Sequence, residues 1–78
     1  MTKVIVYSTP TCPWCNVAKR YLRENNIQFE EKDVSANREA AEEMIAKSHQ
    51  RGVPVLDING KIIIGFDKEA IDKALGLK

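Results

Sequence analysis

The sequence predicts an α/β domain with the element order β-α-β-α-β-β-α, folded as a four-stranded mixed sheet with helices on both faces. Three observations predict it. A short run rich in β-branched residues, a helical pattern and a loosely alternating, more polar run follow one another in the first half of the chain, which implies a βαβ unit with parallel strands. Asn59-Gly60 lies between two further apolar runs and marks an antiparallel hairpin. The only two cysteines, Cys12 and Cys15, fall where the first strand gives way to the first helix.

Lys3 to Tyr7 reads as the first strand, and its consecutive Val4, Ile5 and Val6 imply cover on both faces. Ser8-Thr9-Pro10 is the loop that delivers the chain to the cysteines. A helix runs from Pro13 to about Asn25, with Val17, Ala18, Tyr21 and Leu22 as its apolar positions and Asn25-Asn26 as its stop. Gln28 to Val34 alternates loosely and reads as a more polar strand at a sheet edge. Ser35 is expected to cap a second helix from about Ala36 to Ser48, with Ala40, Ala41, Met44 and Ile45 as its buried stripe. Glu39, Glu42 and Glu43 occupy its remaining faces and read as solvated surface, and His49 as a loop residue. Arg51-Gly52-Val53-Pro54 opens a third strand, Val55 to Ile58, which returns through Asn59-Gly60 into Lys61 to Ile64. Gly65-Phe66-Asp67 leads to a last helix from about Lys68 to Leu75, capped by Asp67 and buried through Ala70, Ile71, Ala74 and Leu75.

Seventy-eight residues are expected to make one domain, 1–78. A chain of this size buries only about 60–65% of its unfolded surface, which leaves no room for an enclosed cofactor cavity. Twelve Lys and Arg against eleven Asp and Glu give neither a basic footprint for nucleic acid nor an attraction to an anionic membrane. Met1-Thr2-Lys3 leads straight into the first strand without a secretory apolar region, and no run reaches membrane-spanning length. The expected compartment is therefore the cytoplasm and the expected state a monomer. There a cysteine pair reads as catalytic rather than as a permanent staple.

Cys-x-x-Cys between a strand and a helix reads first as a redox dithiol. The attacking species in disulfide exchange is the thiolate, and a helix N-terminus stabilises it with unpaired N–H groups and the positive end of the dipole. Cys12 falls at or beside that N-terminus, and Pro13 fits the first helical position, where no N–H is required. Cys12 is then the exposed nucleophile with a depressed pKa, and Cys15, about a turn later, the thiol that resolves the mixed disulfide. Lys19 and Arg20 add positive charge further along. A structural zinc site needs about four ligands, whereas this chain offers two cysteines and a distant His49, so no metal is expected. A metal shared between two chains and a purely structural disulfide are the alternatives.

Element order and motif together resemble the glutaredoxin branch of the thioredoxin superfamily, over nearly the whole chain. Thr11-Cys12-Pro13-Trp14-Cys15 looks like the active-site motif, with Trp14 where Tyr is commoner. Val53-Pro54 looks like the family's Thr/Val-Pro element, whose proline is cis and faces the dithiol. Gly65-Phe66-Asp67 stands where many glutaredoxins carry a Gly-Gly-x-Asp-Asp loop. The resemblance implies the minimal thioredoxin/glutaredoxin fold and a thiol–disulfide oxidoreductase acting on disulfide-containing proteins or small molecules. No bound cofactor is implied, with glutathione or thioredoxin reductase as the electron source. It also implies substrate contacts at Thr11, Pro13, Trp14, Val53, Pro54, Gly65, Phe66 and Asp67, with the Val53 backbone pairing a substrate like an added strand.

The chain departs from glutathione-using relatives at three places. Tyr7-Ser8-Thr9-Pro10 carries no cation where those relatives have Lys or Arg. Phe66 replaces the second glycine, and the paired acids are reduced to Asp67 followed by Lys68. Lys3, Arg51 or Lys68 could substitute in part. These departures point toward short bacterial glutaredoxin-like proteins, including NrdH-type redoxins, although the NrdH-type Trp-Ser-Gly-Phe-Arg-Pro signature is absent. Trp14 and Phe66 are then either partner-facing or locally packed. A glutathione-dependent monothiol deglutathionylase, needing only Cys12, is the alternative within the class. A module binding a metal or iron–sulfur cluster is the alternative outside it.

Overall fold

Val4–Ser8 form β1, five buried residues whose side chains alternate between two separate cores. The computed structural model describes residues 3–76. Met1 and Thr2, expected to lead into the first strand, lie outside the described residues. After β1 come α1 (Pro13–Glu24), β2 (Glu30–Asp33), α2 (Arg38–Ser48), β3 (Val55–Ile58), β4 (Lys61–Ile64) and α3 (Lys68–Leu75). The strands lie in the order β2-β1-β3-β4. β1 runs parallel to β2 and antiparallel to β3, and β3 antiparallel to β4. This is the four-stranded mixed sheet of the minimal thioredoxin/glutaredoxin fold that the sequence predicts.

Val4 and Val6 face one side, with Leu56 and Ile58 of β3 and Ile63 of β4. Ala18 and Leu22 of α1 and Ile71 of α3 close that core. Ile5 and Tyr7 face the other side, where Met44 of α2 and Val55 cover them. Consecutive apolar residues in β1 thus follow from a strand covered on both faces, as read from the sequence. β2 is an edge strand, as expected, and is shorter than the predicted Gln28 to Val34. Ile58 pairs with Lys61 across the two-residue turn. Asn59 and Gly60 both have positive φ, 53° and 92°, which matches the right-handed twist of the flanking strands.

Three local readings are corrected. Ser8, expected in the loop, belongs to β1 and aligns with Asp33 of β2. Ser35 does not cap α2. Its N–H and hydroxyl both donate to Asp33 Oδ1, at 2.9 and 2.6 Å, closing a turn after β2. The cap is Asn37, whose side chain accepts from the Ala40 N–H at 3.2 Å, so α2 starts at Arg38. His49 lies just past the end of α2, as expected, and serves as its C-cap, left-handed at φ 62°, with its N–H donating to Ile45 O.

Glu43 is the third correction. It is no free surface carboxylate, because it accepts from the buried Tyr7 hydroxyl and lies 3.1 Å from Lys32 Nζ and 3.5 Å from Lys47 Nζ. Lys47 in turn reaches Asp57 on β3 at 2.6 Å. A tyrosine on the inner face of the sheet must find a partner for its hydroxyl, and α2 supplies it. The Tyr7 and Lys32 hydrogen bonds hold the Glu43 pKa down from 4.5 to about 2.

A carboxylate with a lowered folded-state pKa stabilises the protein fully above its unfolded pKa, and that stabilisation is lost as pH falls through the folded value. Glu43 is partly exposed, so screening limits its contribution to about 1 kcal/mol. Glu43→Gln should therefore lower the melting temperature at pH 7 by roughly 4–8 °C. The gap to the unaltered protein should narrow between pH 4.5 and about 2 and close below that. Thermal melts across this range, read by circular dichroism, check it.

Candidate active site

The C-terminal end of β1 feeds an exposed turn, Pro10-Thr11, that brings Cys12 to the N-cap of α1. Cys12 has extended backbone angles, φ −99° and ψ 107°, which free its side chain to turn back over the helix. Its Sγ accepts a hydrogen bond from the Cys15 N–H at 3.1 Å. Pro13 takes the first helical position, where its missing N–H leaves no bond unmade. Cys15 lies one turn inward with none of its surface exposed, and Cys12 is partly exposed. Their Cα atoms are 5.2 Å apart and their sulfurs are joined. The sequence expectation of an outer and an inner thiol at a helix start agrees with this geometry. Lys19 does not add its charge to the pair. It reaches away to Glu31 of β2 at 2.6 Å, and its hydrogen bond lowers the Glu31 pKa.

Beside the disulfide runs an open groove of about 250 Å³, lined by Trp14, Val53, Pro54, Gly65 and Phe66. Five of the residues singled out in the sequence thus form one surface. The Val53–Pro54 peptide is cis. Pro54 O accepts from the Gly65 N–H at 2.8 Å, tying the end of β4 to the turn that opens β3. Gly65 has φ 76°, a left-handed conformation that costs a glycine little. Trp14 is 62% exposed and stacks on Phe66, with centroids 6.4 Å apart and planes 18° from parallel. Thr11 and Pro13 are exposed and are not among the residues that line the groove. Asp67 is exposed but engaged with its own helix as the α3 N-cap, accepting from the Ala70 N–H at 3.2 Å.

Beneath the groove is a cluster that sequence reasoning missed. Tyr21 of α1 meets Phe66 edge-on at 5.7 Å. Its hydroxyl donates to Oδ1 of Asp72, which is only 5% exposed. Lys68 Nζ sits 2.9 Å from Asp72 Oδ2 and 5.5 Å from the Tyr21 ring centroid. The Asp72 hydrogen bonds raise the pKa of both Tyr21 and Lys68. The i,i+4 spacing of Lys68 and Asp72 is the one sequence signal that marks the pair. Of the cations proposed to replace the missing one at Tyr7–Pro10, Lys3 precedes the far end of β1, about 17 Å from Ser8 at strand rise. Arg51 is exposed in the segment ahead of Val53.

Among the described residues, no three His, Cys, Asp or Glu side chains gather as metal ligands would, and no helix is long and apolar enough to cross a membrane. The comparisons with known proteins agree on one family. The glutaredoxin family profile matches residues 4–63. A glutaredoxin-like 8.6 kDa protein of the rubredoxin operon of Clostridium pasteurianum is 50% identical over 70 residues, covering 90% of this chain and 93% of its own. The crystal structure of a mutant of the thioredoxin-like protein BC3987 superposes with a TM-score of 0.92, at 31% identity over the whole of both chains. NrdH-redoxin of Escherichia coli, a glutaredoxin-like protein with a thioredoxin-like activity profile, superposes with a TM-score of 0.82 at 27% identity, over 91% of this chain and 92% of its own. With its Cys12–Cys15 pair at the start of α1, the chain belongs to the glutaredoxin family, whose members are thiol–disulfide oxidoreductases.

Proposed function

We propose that the protein is a dithiol reductase of protein and peptide disulfides. The carrying observation is the asymmetry of the pair: Cys12 is partly exposed at the helix N-cap, and Cys15 is fully buried one turn inward. In the reduced protein, the Cys12 thiolate attacks one sulfur of a substrate disulfide. A Cys12–substrate disulfide forms, and the other substrate sulfur leaves as a thiolate and takes up a proton. Cys15 then loses its proton and attacks Cys12 Sγ. The second substrate thiol is released and the Cys12–Cys15 disulfide of this structure forms. Two electrons pass from the dithiol to the substrate, and no bound cofactor is required.

Regeneration by thioredoxin reductase is the favoured electron source, with glutathione the rival. Glutathione is a small anion held by charge-assisted contacts. The groove lining carries no cation, Lys3 stands far from the dithiol, and Lys68 is bound to Asp72. The likeness to NrdH-redoxin supports the same choice. Arg51 is the cation left to serve glutathione.

Two outcomes are expected. After reduction, iodoacetamide should label Cys12 at least about tenfold faster than Cys15, read by peptide mass spectrometry. Cys15→Ser should accumulate a mixed disulfide with substrate and lose reduction of protein disulfides, whereas Cys12→Ser should form no adduct. A Cys15→Ser variant that keeps full turnover with glutathionylated substrate and glutathione would instead support the monothiol deglutathionylase.

A further inference from the structure

We propose that Tyr21 and Asp72 are positioning residues for the substrate groove, which they make selective for disulfides flanked by apolar side chains over those flanked by acids. The proposal rests on the dithiol reading above and names its substrate class. Phe66 is held from two sides. Trp14 stacks on it across the groove, and Tyr21 meets it edge-on from α1. Tyr21 is itself anchored by the hydrogen bond from its hydroxyl to Asp72, a carboxylate buried on α3. A charged group at 5% exposure is costly to bury and persists where its partners satisfy it. Tyr21 and Lys68 supply such partners.

The same carboxylate decides the charge of the groove. Lys68, one residue from the Asp67 cap, is drawn to Asp72 and over the Tyr21 ring, and is not among the groove-lining residues. What remains to meet a substrate is Trp14, Val53, Pro54, Gly65 and Phe66, an aromatic and aliphatic surface without a cation. A leucine or aromatic side chain beside the substrate cysteine gains contact area there. A glutamate in the same place gives up part of its water against a lining that holds no cation to meet it.

The test uses two peptide disulfides of equal length, one with leucine beside each cysteine and one with glutamate. Each is mixed with the reduced protein in single-turnover experiments over a range of peptide concentrations. The unaltered protein should reduce the leucine peptide about tenfold faster at low concentration. Tyr21→Phe keeps the ring and loses the anchor. It should cut this preference several-fold, through weaker apparent binding of the leucine peptide, with the saturated rate held; an aromatic contact accounts for about two- to tenfold. Asp72→Ala removes the acceptor as well as the charge, so it should do the same and speed the glutamate peptide by releasing Lys68. Trp14 is the only tryptophan, so its emission should shift in both variants as the stack on Phe66 loosens.

If Asp72 serves stability alone, melting temperature falls while the peptide preference and the Trp14 emission stay unchanged, and that result overturns the proposal. Should Asp72→Ala not fold, Tyr21→Phe decides. Equal rates with both peptides overturn the selectivity but leave the reductase reading standing. No reduction of either overturns both.

Discussion

The hydrogen bond from the Cys15 N–H to Cys12 Sγ, 3.1 Å at the N-cap of α1, is the contact on which the rest of the site depends. It places one sulfur outward and the other inward on the same helical turn. A cap is normally an oxygen, and here a sulfur takes that place and meets an otherwise orphaned donor. Pro13 strengthens the arrangement by starting the helix without needing a donor of its own. The chemistry follows from this placement, because an anion formed on Cys12 faces donors that exist before any substrate arrives.

The fold supplies the direction of the helix and the wall opposite it. β1 is buried on both faces, so it cannot shift by one residue without exchanging its two cores. Its end therefore fixes where α1 begins. The antiparallel hairpin of β3 and β4 brings the Val53–Pro54 turn and Gly65-Phe66 to the same end of the sheet, joined by the Gly65 to Pro54 hydrogen bond. α3 then brings Asp72 to the hydroxyl of Tyr21, whose ring meets Phe66. Every segment that lines the groove is thus a loop or helix start held by a strand end.

Sequence reading recovered what depends on periodicity and on residues with one conformational use. Val4 to Tyr7, the Asn59-Gly60 turn, Asp67 as cap and the boundaries of β3, β4 and α3 were legible for that reason. It failed where two residues of equal chemistry competed. Ser35 and Asn37 both make good caps, and only the turn that engages Ser35 with Asp33 leaves the role to Asn37. It also failed where a polar side chain joins elements far apart in the chain. Glu43 reads as surface along α2 and Asp72 as the wet side of α3, because the tyrosines they hold lie on β1 and α1, 36 and 51 residues away. In the candidate site, the cysteine pair and the groove residues were legible, but the cluster that shapes the groove from below was not.

A helix N-terminus favours an anion on Cys12 of the reduced protein over a neutral thiol. The measurement for this is thiolate absorbance in the ultraviolet as the reduced protein is titrated with base, alongside Cys12→Ser and Cys15→Ser. The account predicts a first titration well below the value of about 8.5 for a free cysteine. That titration should be absent in Cys12→Ser and kept in Cys15→Ser. A Cys12 thiol that titrates at or above the free value in a folded, reduced protein would contradict it.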